Sequence, residues 1–351
     1  MYTSISAFKY VTPFILYVLS LLAFQGEGLI CYAPLMYTFF AVPILELFIK
    51  ASPANLDEVE ESLAKQNKLY DFILYAAVIM QYYSLWIFLN SLQAPALSTA
   101  TIAGRVISMG LLCGAFGINV AHELGHRVNK MEQTFAKMLL LTSLYMHFFI
   151  EHNKGHHKHV ATASDPSTAK YNQSLYAFWP QTLIGTYKSA WKIANEELSK
   201  KGYAWFSLKN EMLLFQIIQL LLLVSIFSFF GLTTTLLFMV AALMGGLLLE
   251  SVNYIEHYGL TRNETGDHQF ERVQPHHSWN SNHIIGRLML FELSRHSDHH
   301  YLASRKYQIL RSYDNAPQMP TGYPGMILLS LVPPLWFKVM NNQMKKYNLK
   351  G

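Results

Sequence analysis

Residues 99–126, TATIAGRVISMGLLCGAFGINVAHELGH, decide how this chain must fold. From Thr99 to Ala121 the stretch is apolar and long enough to cross a bilayer as a helix, for which about 20 residues suffice. It ends in His122-Glu123-Leu124-Gly125-His126, where spacing i, i+4 puts two imidazoles on one helical face. A membrane helix is thus predicted to deliver a pair of metal-type ligands to one edge of the bilayer. The rest of the chain fits that beginning. Of 351 residues, 52% are hydrophobic and 14% charged, against about 25% charged in an ordinary soluble domain. The mean hydropathy is +0.18.

Residues 10–25, 29–49, 70–92, 212–230 and 232–254 read as five further passes. The first lacks the basic start and small-residue cleavage site of a secretory signal, so it is expected to be a retained helix. Gln25-Gly26-Glu27-Gly28 and Phe230-Gly231-Leu232 suit tight helical hairpins. With both termini inside, the outer connections at 26–28, 93–98 and around 231 contain no Lys or Arg, and nearly all 27 basic residues fall on the cytoplasmic side. Arg105 is the one basic residue near the outer end of a pass. The expected architecture is a single all-α membrane-embedded domain over residues 1–351. It has six transmembrane helices and histidine-rich cytoplasmic portions at about 122–211 and 255–351. Residues 131–150, MEQTFAKMLLLTSLYMHFFI, are apolar enough for another crossing, yet histidines precede and follow them. If both groups serve one site, this helix must return to the side it left. It is expected to lie against the bundle or near the interface.

Two cysteines cannot build a disulfide framework, a four-cysteine zinc site or an iron–sulfur cluster. A net charge of +5 without long basic runs argues against nucleic-acid binding. The informative excess is fifteen histidines. Besides the first motif they cluster in Glu151-His152-Asn153-Lys154-Gly155-His156-His157-Lys158-His159, in Asn253-Tyr254-Ile255-Glu256-His257-Tyr258-Gly259 and in Arg295-His296-Ser297-Asp298-His299-His300. On an α-helix His152 and His156 share a face and His157 is turned by about 100°, so an adjacent pair can address two metals. The candidate ligands are His122, His126, His152, His156, His157, His257, His296, His299 and His300. A single tetrahedral zinc needs three or four. Nine suit two metals with four or five nitrogens each, and open positions on a nitrogen-ligated iron pair suit oxygen chemistry. Metal-bound imidazoles usually donate their other N–H to a carboxylate or carbonyl. Glu123, Asp165, Glu256 and Asp298 lie close enough in sequence to accept it, with ordinary salt bridging as the competing role. His276, His277 and His283 read as hydrogen-bonding supports or loop residues, and His147, His159 and His268 as non-ligands.

HELGHR, FFIEHNKGHHKHVAT-x-x-DP, NYIEHYGL, QPHHSWNSNH, RHSDHH and Met319-Pro320-Thr321-Gly322-Tyr323-Pro324-Gly325 resemble the membrane-bound alkane 1-monooxygenases, which are integral-membrane non-heme di-iron hydroxylases. The likeness runs from about residue 115 to 337. Three histidine boxes alone also describe membrane fatty-acid desaturases and sterol-type hydroxylases; NYIEHYGL and QPHHSWNSNH narrow the resemblance. Ser294 stands where that family usually has Gln, Ala163-Ser164 where Pro and a polar residue usually precede DP, and Arg127 where Lys is usual. None of these removes a ligand. The resemblance implies that the nine histidines bind two irons. It also implies that medium-chain n-alkanes are converted to 1-alkanols with O₂ and two electrons, in a bacterial cytoplasmic membrane with the site facing the cytoplasm. The implied donor is a rubredoxin reduced by an NAD(P)H-dependent rubredoxin reductase. No CxxC pair is present to build a rubredoxin here, so the donor is expected to be a separate protein, steered in part by cytoplasmic basic residues.

The alkane would arrive from the bilayer along helices 29–49 and 99–121. Gly110, Gly114 and Gly117 leave room for a chain, although small residues at this spacing also pack helices closely. Phe39, Phe40 and Phe116 are candidates for the channel bottom, with plain packing as the competing role. Two other classes fit parts of the pattern. One is a desaturase or hydroxylase of lipid-linked acyl chains. The other is a HELGH zinc metallopeptidase with Glu123 as general base, which needs one zinc and tolerates loss of His299 or His300. A metal store or sensor is a more distant reading.

Overall fold

The computed structural model describes residues 6–266 and 269–349. Five helices are long and apolar enough to cross a membrane: α1 (Ser6–Gln25), α2 (Gly28–Phe48), α4 (Leu69–Ser91), α5 (Thr99–Gly125) and α9 (Glu211–His257), with the short α3 (Glu58–Gln66) between α2 and α4. Helix α9 breaks at Gly231, whose φ of +79° lies in the left-handed region that only glycine enters cheaply. Met146 N donates to Gln219 Oε1 at 3.3 Å, and Gly246 packs on the neighbouring Tyr145. Points well before and well after Gly231 therefore reach the same spot, so the two arms fold back on each other. The chain is an all-α integral membrane protein, apart from a small antiparallel ribbon of Glu264–Gly266 and Gln269–Phe270. Phe48, Phe72, Ile79 and Phe229 project outward from the bundle, as a lipid-facing surface requires.

Polar residues set where helices begin. Ser98 Oγ accepts from Thr101 N, Asn129 Oδ1 from Met131 N, and Asn210 Oδ1 from Met212 N, each satisfying an amide that would otherwise lack a partner. Such caps stabilise by about 1 kcal/mol each. At the bundle end remote from the histidines, Arg105 is buried and donates to Ser91 O at 2.5 Å and Gly26 O at 2.8 Å. Its charge thus rests on the carbonyl ends of α4 and α1, where the helix dipoles favour a cation. Gln93 Nε2 reaches Phe230 O and Thr234 Oγ1 at this same end.

The 131–150 region is not one helix. Helix α6 (Lys130–Thr142) runs back down beside α5 until Ser143 Oγ donates to Cys113 O at 3.1 Å. Cys113 lies nine residues before His122, about 13 Å deeper at 1.5 Å per residue. The chain then reverses through Leu144, in a left-handed conformation at φ +49°, and climbs again through α7 (Phe148–Glu151). The segment does return to the side it left, as an inserted hairpin whose depth lets Gln81 Nε2 meet Thr142 Oγ1 at 3.1 Å. Beyond it lie α8 (Leu175–Lys200), then after α9 the short α10 (Ile284–Met289), α11 (His296–Tyr301), α12 (Tyr323–Ser330) and α13 (Pro333–Lys346). A second core built on Tyr254, Tyr258, Trp279 and Trp336 fixes these to the end of α9. Buried Arg295 clamps Ala54 O and Leu310 O at 2.6 Å each, strapping the α2–α3 connection across the histidine-bearing end.

Candidate metal centre

All nine candidate histidines meet at one end of the bundle, in two groups. His122, His126, His152, His157 and His299 form one; His156, His257, His296 and His300 form the other; within each, the ligand atoms lie within 4.8 Å of one another. Nε2 faces Nε2 at 2.9 Å for His122–His299, 3.1 Å for His126–His152, 3.0 Å for His157–His299, 3.2 Å for His156–His300 and 3.1 Å for His257–His296. Imidazole nitrogens bonded at about 2.0–2.1 Å to one transition ion, and roughly at right angles, stand about 3 Å apart. The two groups adjoin, with the rings of His157 and His300 stacked at 4.4 Å between centroids.

The consecutive pairs divide: His156 and His157 enter different groups, and so do His299 and His300. The face shared with His152 differs, however. Residues His152–His156 form a π-helical turn, whose i→i+5 bonding brings His157 rather than His156 over His152. His152 and His157 Nε2 consequently lie 3.1 Å apart in one group, while His156 joins the other. In α11 the winding is α-helical, and His296 and His300 share a group at i, i+4.

Two of the four proposed supporting carboxylates stand behind an imidazole. His156 Nδ1 meets Asp165 Oδ2 at 2.9 Å; Thr168 Oγ1 donates to the same oxygen at 2.6 Å, and Ser167 N to Oδ1 at 3.1 Å. With Nδ1 protonated toward Asp165, His156 Nε2 must turn a lone pair toward His300. His296 Nδ1 lies 3.2 Å from Glu256 Oε1, which also accepts from Tyr323 Oη at 2.7 Å. Glu123 and Asp298 are engaged elsewhere. Glu123 Oε1 accepts from Arg127 Nη2 at 2.6 Å and Tyr307 N at 3.2 Å. Asp298 takes Arg305 Nη1 through both oxygens at 2.8 Å, plus Arg311 N and Tyr313 Oη. For these two the salt-bridge alternative describes the arrangement, since both pin the 305–313 loop. His277 sits with Glu271 Oε1 at 3.3 Å and Gln274 N at 3.0 Å, and His276 packs against its ring. His283 pairs with Ser281 Oγ, and His147 packs between Tyr145 and Tyr187. His268 lies outside the described residues.

Electrostatics agree with a cation-binding cage. Burial, then the neighbouring imidazoles, drive His152, His157, His296, His299 and His300 well below the usual histidine range. Burial lowers His126 to about 3, with His156 and Arg127 adding to the effect. Burial opposes charge on Asp165, but His156 and Thr168 outweigh it and hold the carboxyl below its ordinary value. Imidazole lone pairs pointing at shared centres repel one another unless positive charge lies between them. The donor set therefore fits two nitrogen-ligated transition ions.

Immediately inward lies a narrow apolar cavity of about 50 Å³. Asn119 and Leu293, each three residues before a caged histidine, line it together with Val252 and Tyr323. Of the channel candidates, Phe39 and Gly114 line this cavity. Phe40 is 58% exposed on the outer face of α2, and Phe116 is locked among Phe14, Tyr17 and Phe291. Gly110 and Gly117 serve close packing: a Cβ at Gly110 would meet Met244 Sδ at 2.7 Å, and one at Gly117 would meet Ser143 Oγ at 2.5 Å. Three contributors had no assigned role in the sequence. Tyr323 was visible only as part of a quoted motif. Asn119 gave no signal. Glu250, which accepts from Tyr145, Thr182 and Asn253, is a buried carboxylate in an apolar run.

The family model for fatty acid desaturases matches residues 97–330. Alkane 1-monooxygenase 2 of Pseudomonas aeruginosa is 39% identical over 314 residues, covering 88% of this chain and 82% of that protein. An alkane 1-monooxygenase of Pseudomonas putida is 39% identical over 282 residues, covering 80% and 69%. The hydroxylase component XylM of a xylene/toluene monooxygenase from Pseudomonas putida is 32% identical over 241 residues, covering 68% and 63%. Fold and site thus define a membrane-embedded, histidine-rich enzyme of the fatty acid desaturase family. Within it, the chain belongs to the alkane 1-monooxygenases.

Proposed function

We propose that this chain hydroxylates medium-chain n-alkanes at the terminal carbon, with two irons held by the nine histidines and the cage facing the cytoplasm from a bacterial inner membrane. The observation that carries the reading is the pairing of five and four converging imidazoles beside an apolar cavity lined by residues of α1, α2, α5 and α9. When bound, the irons supply reductive use of O₂, one oxygen atom going to the substrate C–H bond and the other to water. The protein's part is positioning and a dry site. His122, His126, His152, His157 and His299 would hold one ion, and His156, His257, His296 and His300 the other. Asp165 fixes the tautomer of His156, and Glu256 lies 3.2 Å behind His296 Nδ1. The walls of the cavity, Phe39 and Gly114 among them, admit a chain end-on and so present its methyl group first.

The zinc-peptidase alternative does not fit, because Glu123 is tied to Arg127 and Tyr307 rather than free to activate a water, as a general base must. Electrons must come from a partner. A groove of about 1290 Å³ bordered by six lysines, Lys154, Lys158, Lys170, Lys188, Lys192 and Lys200, against two glutamates, Glu196 and Glu197, has Asp165 in its wall, directly behind His156. An acidic rubredoxin, recharged by an NAD(P)H-dependent reductase, would dock there, with oppositely charged surfaces steering the encounter.

The test is metal analysis and product analysis of the reconstituted protein supplied with rubredoxin and its reductase. About two irons per chain and 1-octanol from octane are expected. In His156→Ala bound iron should fall and turnover should cease, while membrane insertion stays intact. A single zinc, or products from acyl lipids and none from octane, would overturn the assignment.

A further inference from the structure

Asn119 is 5% exposed, and its Nδ2 has no hydrogen-bond partner among the described residues. It lines the apolar cavity and lies three residues before His122 on α5, about 4.5 Å along the helix axis. Leaving a buried amide donor unpaired is costly, so a helix surrounded by leucine and alanine has no packing reason to carry one here. Two other polar side chains line the same space. Tyr323 Oη is already committed to Glu256 at 2.7 Å. Thr38 Oγ1 is also buried without a partner among the described residues, but it sits farther from the cage: α2 and α5 run side by side with Ser108 Oγ bonded to Cys31 O at 2.8 Å. That register puts Thr38 level with residue 115, about 6 Å below Asn119.

We propose that Asn119 is the oxygen-recognising group of the cavity, donating a hydrogen bond from Nδ2 to the hydroxyl of the newly formed primary alcohol. The inference rests on the reading of the chain as a terminal alkane hydroxylase. An alkane has no oxygen and leaves the donor unpaired, whereas the alcohol satisfies it. Without Asn119 the new hydroxyl would be stranded against Leu293, Val252 and Leu249, an unfavourable place for any polar group. The amide therefore discriminates product from substrate at the cage end and positions the alcohol with its oxygen toward His122. Because the bond is donated by the protein, an aldehyde, which only accepts, is recognised as well.

Binding of n-octane, 1-octanol and octanal to the full chain in nanodiscs, both metal-free and iron-loaded, tests this, with Asn119→Leu as the variant. The wild type should favour octanol and octanal over octane more strongly than Asn119→Leu does, by about fivefold to tenfold, the worth of one hydrogen bond. The unliganded unfolding midpoint of Asn119→Leu should stay level or rise, because an apolar side chain replaces an unpaired donor. An amide that merely held the helix together would lower that midpoint and leave the ligand preference unmoved, which would overturn the proposal. So would recognition of octanol without octanal, since the facing atom would then be an acceptor. Should octane prove not to be a substrate, the parent reading fails in turnover, while the preference of the metal-free chain remains measurable on its own.

Discussion

Replacing Asp165 with Asn isolates the support behind one imidazole without changing shape. In the wild type the two carboxylate oxygens accept three hydrogen bonds, from His156 Nδ1, Thr168 Oγ1 and Ser167 N. An amide has one oxygen. If it keeps facing His156 and Thr168, its NH₂ confronts the Ser167 N–H; if it flips, it confronts the His156 N–H. Either orientation forfeits a bond worth about 1 kcal/mol and leaves a buried donor unmet. It also removes the negative charge that makes His156 a stronger base toward an ion. Second partners of this kind typically contribute about 10–100-fold to metal affinity, which is roughly 1.4–2.7 kcal/mol. Asp165→Asn is therefore expected to weaken iron binding by at least tenfold in a chelator competition. His156→Ala, which removes the nitrogen itself, should weaken it further. Asp165 is fully buried beside Thr168 and Ser167, so the unfolding midpoint of the metal-free variant should be read in parallel. Iron affinity within twofold of wild type, in a variant that folds normally, would refute the claim that Asp165 works through His156.

Glu123→Gln should leave iron content unchanged while lowering stability by about 1–3 kcal/mol, because it breaks a buried pair with Arg127; metal analysis and thermal unfolding separate the two effects. His147 is held neutral, burial lowering it to about 4 from the ordinary 6.5, so the unfolded chain binds the extra proton first. Stability is then intact above about pH 6.5 and falls as the pH drops toward 4. Unfolding of metal-free wild type and His147→Phe should diverge by about 1 kcal/mol between pH 7.5 and 5.5, the variant being the less acid-sensitive. Lys188→Glu with Lys192→Glu should raise KM for the protein electron donor about tenfold at low salt and flatten its salt dependence. Turnover driven by a small-molecule reductant should be unaffected.

Much of the architecture was legible because bilayers impose a simple rule on sequence. Apolar runs of fixed length, Gly26, Gly231 and the absence of Lys and Arg from three connections all carry local signals. The histidines were legible as a set because spacing on a helix is arithmetic, and the return of residues 131–150 followed from requiring one site. What spacing could not give was backbone winding. The inserted hairpin turns at Leu144, a residue with no turn preference, in a left-handed helix-end motif where Leu144 N bonds Leu141 O at 3.1 Å and Tyr145 N bonds Leu140 O at 3.0 Å. Supporting carboxylates were also only half accessible. Asp165 and Glu256 lie near a histidine in both sequence and space. Glu123 and Asp298 are equally near in sequence, but Arg127 and the distant Tyr307 claim the first, and Arg305, Arg311 and Tyr313, seven to fifteen positions on, claim the second. Nothing in a linear reading ranks Arg127 four positions away, Arg305 seven away or Tyr307 184 away against an adjacent histidine.

The division of the cage into five and four follows from one such backbone feature. Were residues 148–159 α-helical throughout, His152 and His156 would stack at i, i+4 and His157 would stand apart. The same arithmetic in α11 pairs His296 with His300 and isolates His299. The π turn at His152–His156 shifts the register by one residue, handing His157 to His152 and freeing His156 for His257, His296 and His300. Gly155 lets Glu151 fold over the turn, since a Cβ there would stand 2.6 Å from Glu151 Oε1 and push that side chain aside. Two boxes of nearly identical spelling thus serve two centres differently. The asymmetry between those centres is written in helical winding, and a residue count along the chain does not contain it.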